Sequence, residues 1–227
     1  MSAPFVVVAT GLEFEARIAH AGSATKVCCG RGTQMAVALA TATGPGCAGI
    51  ISFGIAGGLD PQLRPGAVIV ASSVIGANGV KMALPSDARW SQWLLGALPH
   101  ALHAPVLGVD APVTEPSDKL RLFSQTGAAA LDMESHIAAS VAASHGLPFA
   151  VLRVVADPAN RRIPQAALAG MREDGSTDAM GVLRALMRRP GDIAGMPGVA
   201  CNAYVAKKAL ARARRDLGPG FGLANLG

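Results

Sequence analysis

Carboxylates and glycines stand directly behind apolar runs at several points of the 227-residue chain. Gly11-Leu12-Glu13-Phe14-Glu15-Ala16-Arg17 follows the run at residues 5–10, and Gly54-Ile55-Ala56-Gly57-Gly58-Leu59 follows residues 50–53. Arg153-Val-Val-Ala-Asp157-Pro158 ends a run that starts at Phe149, and Asp132-Met133-Glu134 opens the helical stretch before it. Ligands of parallel α/β sheets bind beyond the carboxyl ends of the strands, so the four segments converge on one edge. Pro158 ends the strand at Asp157. Taken alone, Asp157 reads equally as a general acid or as a cap on the next helix. Arg153, four residues earlier, faces the same side by the period of two, and in an apolar strand it needs a carboxylate or a substrate oxygen as partner.

Other motifs are weaker. Gly30-Arg31-Gly32 begins like a dinucleotide fingerprint, but Met35 breaks the GxGxxG pattern, which excludes a nicotinamide site of that kind. What remains is a turn feeding a helix, suited to an anion. His100 and His103 lack neighbouring ligands, so no metal is expected. The four cysteines form no CxxC pair and read as idle thiols in a reducing compartment.

The elements that must carry these residues are apolar strands at 5–10, 50–53, 67–75, 105–109 and 149–156, with helices at 34–43 and 132–145 between them. Continuous apolar strands alternating with helices predict a single α/β domain over residues 1–227, a central, mostly parallel twisted sheet covered by helices. Residues 199–227 form a basic C-terminal extension. Within it, 203–217 is an amphipathic helix with Ala206, Leu210, Ala213 and Leu217 in a stripe and Lys207, Lys208, Arg212, Arg214 and Arg215 on the remainder. Docking of the stripe on the core is the simpler reading, and contact of the basic face with a membrane or anion is the other.

Composition narrows the classes. Hydrophobic residues make up 51% and charged residues 15%, so the chain can bury a large core and is not disordered. The net charge of +5 lies entirely in the last third: residues 1–159 hold 9 Lys/Arg against 10 Asp/Glu, and residues 160–227 hold 11 against 5. Neither a signal peptide nor a membrane span is expected, since Gly44-Pro45-Gly46 cuts the longest uncharged stretch. A cytoplasmic protein, peripheral at most to the inner membrane face, follows. Basic residues on one helix without interleaved aromatics make a poor nucleic-acid reader.

Five segments together resemble the purine nucleoside phosphorylase and nucleosidase superfamily, with the methylthioadenosine/adenosylhomocysteine nucleosidase branch most similar in pattern. They are Thr10-Gly-Leu-Glu-Phe-Glu-Ala, Ser52-Phe-Gly-Ile-Ala-Gly-Gly-Leu-Asp-Pro, Leu63-Arg-Pro-Gly-Ala-Val-Ile-Val, Leu131-Asp-Met-Glu-Ser and Leu152-Arg-Val-Val-Ala-Asp. Residues 10–19, TGLEFEARIA, with the basic extension resemble the hopanoid-associated subfamily, which removes adenine from adenosylhopane. The resemblance implies that Asp157 protonates purine N7 and Glu15 holds the attacking water, with Arg153 beside it. Glu134 would accept the ribose 2′ and 3′ hydroxyls and Met133 would pack on the sugar. Ile55, Ala56 and Gly57 would let backbone approach ribose and nucleophile, and Val113 would sit at the purine edge. Arg17, Gly30 and Arg31 would hold phosphate if phosphate were the co-substrate. No cofactor is implied, and a homo-oligomer is.

Chemistry supports the same division. Breaking a ribosyl C–N bond develops positive charge on the sugar and negative charge on the base, which calls for carboxylate at one end and a proton donor at the other. Pro112 stands where the nucleosidases stack an aromatic on the purine, and residues 76–84 are short and carry no aromatic. The expected activity is cleavage of an adenine nucleoside with an apolar, lipid-like 5′ substituent, with hydrolysis favoured over phosphorolysis. The alternatives are a nucleoside-binding module without turnover and a general purine nucleoside phosphorylase.

Overall fold

Alternation along the strands decides which helix covers which face. The computed structural model describes residues 3–76, 83–169, 175–176 and 178–223. In β1 (Phe5–Thr10), Val7 and Ala9 enter one apolar cluster while Val6 and Val8 enter another. The split repeats in β8 (Phe149–Asp157), where Val151 and Val155 face the first cluster and Leu152 and Val154 the second. The first cluster is closed by Met35 and Leu39 of α2 (Gly32–Ala42) and by Ala138 and Ala142 of α5 (Ser135–Ser144). The second is closed by Trp90 and Leu94 of α3 (Ala88–Ala97) and by α8 (Met196–Asp216). One sheet is thus sandwiched between two helical layers, as continuous apolar strands require.

The remaining strands are β2 (Thr25–Cys29), β3 (Cys47–Gly58), β4 (Val68–Gly76), β5 (Ala83–Pro85), β6 (Leu102–Gly108) and β7 (Ala130–Asp132). Parallel pairings join β1 to β2 and β3, β3 to β8, β4 to β6 and β6 to β7. Antiparallel ones join β3 to β7, β4 to β5 and β4 to β8. The sheet is therefore mostly parallel, but β3, β7, β6, β4 and β8 pair in a closed circuit, which alternation alone did not foretell.

Several boundaries differ from the sequence expectation by one to three residues, and three differences matter more. The second apolar strand does not stop at Phe53; β3 runs on through the glycines to Gly58, paired with β8 and then with β7. The helix expected from residue 132 begins at Ser135, because Asp132 belongs to β7 and its Oδ1 accepts the backbone N–H groups of Glu134 (2.9 Å) and Ser135 (2.6 Å). The third concerns the C-terminal helix, which starts at Met196, before the expected extension. Ala206, Leu210, Ala213 and Leu217 are all buried in the second cluster, so α8 is a layer of the fold.

Arg214 is also buried rather than on the basic face. It donates to the carbonyls of Ala19, Gly218 and Pro219 and lies over the Phe221 ring. Lys207, Lys208, Arg212 and Arg215 remain exposed. Among the described residues no helix is long and apolar enough to cross a membrane. Of residues 76–84, singled out for lacking an aromatic, 77–82 lie outside the described residues.

Candidate active site

A cavity of about 610 Å³ opens at the carboxyl ends of β1, β3 and β8. Glu15, Ile55, Ala56, Gly57, Val113, Met133, Glu134, Asp157 and Arg31 all line it, beside Pro112. Three glycines make room for the carboxylates. A Cβ on Gly54 would stand 2.5 Å from Glu15 Oε1, one on Gly57 3.1 Å from Asp157 Oδ2, and one on Gly11 would collide with Glu134 Oε1. This close approach is why glycines persist inside a strand, where they otherwise weaken it.

Glu15 sits in the first turn of α1 (Glu13–Ala19). Its Oε2 accepts the N–H groups of Gly11 and Leu12 at 2.9 Å each, and its Oε1 accepts Ile55 N–H at 2.7 Å. The carboxylate therefore stitches the end of β1 to β3. A carboxylate has about four lone-pair positions, so one remains after these three donors. Burial pushes the Glu15 pKa up against the lowering effect of Arg153 and the N–H donors.

Glu134 stands at the entry of α5, and burial, opposed by Arg153 and reinforced by Asp132 and Glu15, pushes its pKa up to about 7. Arg153 is fully buried and does not line the cavity; its guanidinium lies beneath the floor. Nη2 donates to Ser52 Oγ at 2.6 Å and Ser135 Oγ at 3.3 Å, and Nη1 donates to Ile55 O at 3.3 Å. Nη2 also lies 3.2 Å from Glu134 Oε2, and Nε lies 3.2 Å from Asp132 Oδ2 in an ionic contact that is not a hydrogen bond. The carboxylate partner expected for Arg153 is thus a pair, and it acts on the site through Glu134.

Across the cavity, Asp157 ends β8 where the ladder with β3 slips by one residue, so that it opposes Gly57. Its Oδ2 accepts from Lys119 Nζ at 2.6 Å. Burial pushes the Asp157 pKa up, and the ammonium pulls against it.

The three residues expected to hold phosphate do not come together. Arg17 is exposed and paired with Glu13 on the outside of α1. The Gly30 N–H is used by Thr10 O. Only Arg31 of that set reaches the cavity, 3.9 Å from Glu134 Oε1.

Sequence reasoning gave no role to Asp132, Ser52, Ser135 or Lys119. The buried arginine was the available signal for the first three, since its guanidinium carries five donors to satisfy. It also missed a set of apolar lining residues from the C-terminal third, an annex of the cavity. Leu168 of α6 (Gln165–Leu168), Val182 of α7 (Ala179–Arg188) and Met196 and Val199 of α8 wall it, with Phe14 and Ile163.

Residues 2–189 match the Phosphorylase superfamily. No curated protein matches the chain. Among solved structures, the 5′-methylthioadenosine/S-adenosylhomocysteine nucleosidase of Neisseria meningitidis, in complex with methylthio-immucillin-A, is similar at 16% identity and a TM-score of 0.65. That match covers 92% of this chain and 97% of that one. The corresponding nucleosidase of Helicobacter pylori, with butyl-thio-DADMe-Immucillin-A, is 14% identical with a TM-score of 0.64, covering 96% and 100%. Futalosine hydrolase of Helicobacter pylori is 16% identical with a TM-score of 0.63, covering 94% and 98%. At such identities the likeness is one of fold.

Proposed function

Because the chain belongs to the Phosphorylase superfamily, we propose that it is a nucleosidase cleaving the N-glycosidic bond of an adenine nucleoside whose 5′ substituent is apolar. The observation that carries this reading is one cavity with carboxylates on two walls and an apolar annex between helices. Asp157, whose carboxyl burial holds above its ordinary range, gives its proton to the departing purine nitrogen. Glu134, opposite, accepts the ribose hydroxyls and balances the positive charge that grows on the sugar. The remaining lone pair of Glu15 orients the attacking water. Ile55, Ala56 and Gly57 pass under the sugar, Met133 packs on it, and Val113 meets the base. Similar proteins of this fold act on nucleosides with 5′ thioether groups, by the names they carry.

Water is favoured over phosphate because only Arg31 of the expected anion ligands faces the cavity, and a carboxylate in the nucleophile position repels an anion. The annex extends the reading to a lipid-linked substrate such as adenosylhopane, since its walls are Leu168, Val182, Met196 and Val199. Release of adenine from 5′-alkylthioadenosines of increasing chain length, with and without phosphate, tests both points. Cleavage without phosphate, with KM falling as the chain grows, is expected. Absence of adenine release under either condition overturns the reading.

A lipid-linked substrate must be met at a membrane surface, and α7 offers an apolar face for it in addition to the exposed basic residues Lys207, Lys208, Arg212 and Arg215 of α8. Met180, Leu183 and Met187 are exposed at i, i+3 and i+7, with Arg184 and Arg188 beside them. At about 100° per residue, Val182 points the other way, into the annex. Exposed apolar residues flanked by arginine suit an anionic interface. Co-sedimentation with phosphatidylglycerol vesicles at low salt is expected, and its loss in a Met180→Gln, Leu183→Gln, Met187→Gln variant. Equal binding by that variant would put the contact elsewhere.

A further inference from the structure

α4 (Pro116–Thr126) has one fully buried residue, and that residue is a lysine. Lys119 has no accessible surface, whereas lysines are almost never fully buried unless paired. Its ammonium has three protons and meets three acceptors: Asp157 Oδ2 at 2.6 Å, Pro158 O at 3.2 Å and Arg161 O at 3.3 Å. The lysine therefore clamps the chain that follows β8, and among the described residues its one carboxylate contact is with Asp157, which lines the cavity. On the far side Gly57 leaves space for that carboxyl and no more. An apolar residue at 119 would satisfy the burial of α4, so the cost of burying a charge there calls for a use.

We propose that Lys119 is a positioning residue for Asp157, fixing the carboxyl through Oδ2 so that Oδ1 carries the transferable proton, and stabilising the carboxylate left when that proton departs. This rests on the nucleosidase reading above. In the step itself the ribosyl C–N bond breaks with its electron pair going to the base. The Oδ1–H bond of Asp157 breaks as the proton moves to the base nitrogen. Water adds to the sugar carbon and releases its own proton to solvent, from which Asp157 is reloaded once the base has left. Lys119 keeps all three of its protons throughout. Its contribution is a fixed positive charge beside the oxygen pair that becomes negative, which is worth most where water is excluded. Burial raises the Asp157 pKa and Lys119 offsets part of that rise, keeping the carboxyl acidic enough to give its proton up.

The test compares two leaving groups. Adenine needs protonation to depart, whereas 4-nitrophenolate from a nitrophenyl riboside does not. Lys119→Met is expected to lose roughly 10- to 100-fold in kcat on the adenine nucleoside, a part of the usual contribution of a general acid. KM should change little, and nitrophenyl riboside turnover should stay within about threefold. Lys119→Gln, which can still donate to the two carbonyls, should show the same split and guards against a fold lost in the Met variant. Lys119→Arg, which keeps the charge, should recover part of the rate on adenine. Equal losses on both substrates in the Met and Gln variants overturn the proposal and leave the lysine a structural clamp, as does an unchanged rate on adenine. A wild-type protein that cleaves neither riboside overturns the nucleosidase reading, and this inference with it.

Discussion

The two walls of the cavity hold their carboxylates in opposite ways. On one, Glu15 and Glu134 belong to a buried network with Arg153, Asp132, Ser52 and Ser135, in which the arginine alone has five oxygen neighbours, on β3, β7, α5 and the turn that joins the last two. On the other, Asp157 has a single side-chain partner among the described residues, Lys119, which holds its Oδ2. A group with many fixed partners is held in place, while a group with one side-chain partner can gain and lose a proton without dismantling its surroundings. The first arrangement suits steady recognition of a sugar and its growing positive charge, and the second suits a proton donor.

If that contrast is right, damage to the two walls should differ in kind as well as size. The largest effect on rate belongs to Asp157→Asn, with turnover of an adenine nucleoside falling about 10²- to 10⁴-fold and melting temperature and ligand binding largely kept. Near-normal turnover would move the acid elsewhere. Arg153→Met strikes the other wall and should appear first in stability, since breaking a buried ion pair costs about 3–5 kcal/mol. Denaturant unfolding reads this directly, and a loss below 1 kcal/mol would show the network to be dispensable. Glu134→Gln is smaller and specific to the sugar. Hydrogen bonds to charged groups contribute about 1.5–3 kcal/mol, so kcat/KM should fall further for the riboside than for its 2′-deoxy analogue. Equal losses on both would place the sugar away from Glu134.

The smallest effect is on the pH dependence of stability. Glu134 binds its proton up to about pH 7 in the folded protein but only within the ordinary carboxylate range when unfolded. Between those limits the folded state holds more protons, so stability is greatest at the acid end and declines as pH rises through the window. Glu134→Gln should flatten the decline. It should not abolish it, because burial shifts Glu15 and Asp157 in the same direction. A melting temperature that climbs from pH 5 to 7 in the parent protein would contradict the sign.

Much of the sheet was legible because short continuous apolar runs such as those of β1 and β8, alternating with helical stretches, point to strands buried on both faces. The carboxylates of both walls were legible too, as acids placed at strand ends. What misled was glycine. Residues 54–58 read as a strand stop, since the entropy and packing arguments against glycine in strands are sound in isolation, yet here β3 continues because carboxylates occupy the space a side chain would take. Lys119 left no trace in the sequence. Between Asp118 and Arg121 it looks like one more charge on a solvated helix face, and only the packing of α4 against Asp157 separates it from them. Arg153 was expected beside the nucleophile, but strand parity gives a face and not a depth, and the side chain is buried behind the cavity lining. The annex was hidden for a different reason: its walls come from α6, α7 and α8, short apolar patches scattered over 163–203 with no common period.

The glycines under the carboxylates have a consequence for how this chain can diverge. Gly11, Gly54 and Gly57 each occupy the volume next to one acid, respectively Glu134, Glu15 and Asp157. A side chain gained at any of the three positions displaces its acid, and a descendant that has given up the chemistry is released from the constraint at both members of the pair at once. Drift should therefore proceed in couples. Relatives that keep Asp157 should hold position 57 small, and those with a bulky residue there should have exchanged the acid as well. The site is thereby written twice into the sequence, once in the groups that react and again in the empty places reserved for them.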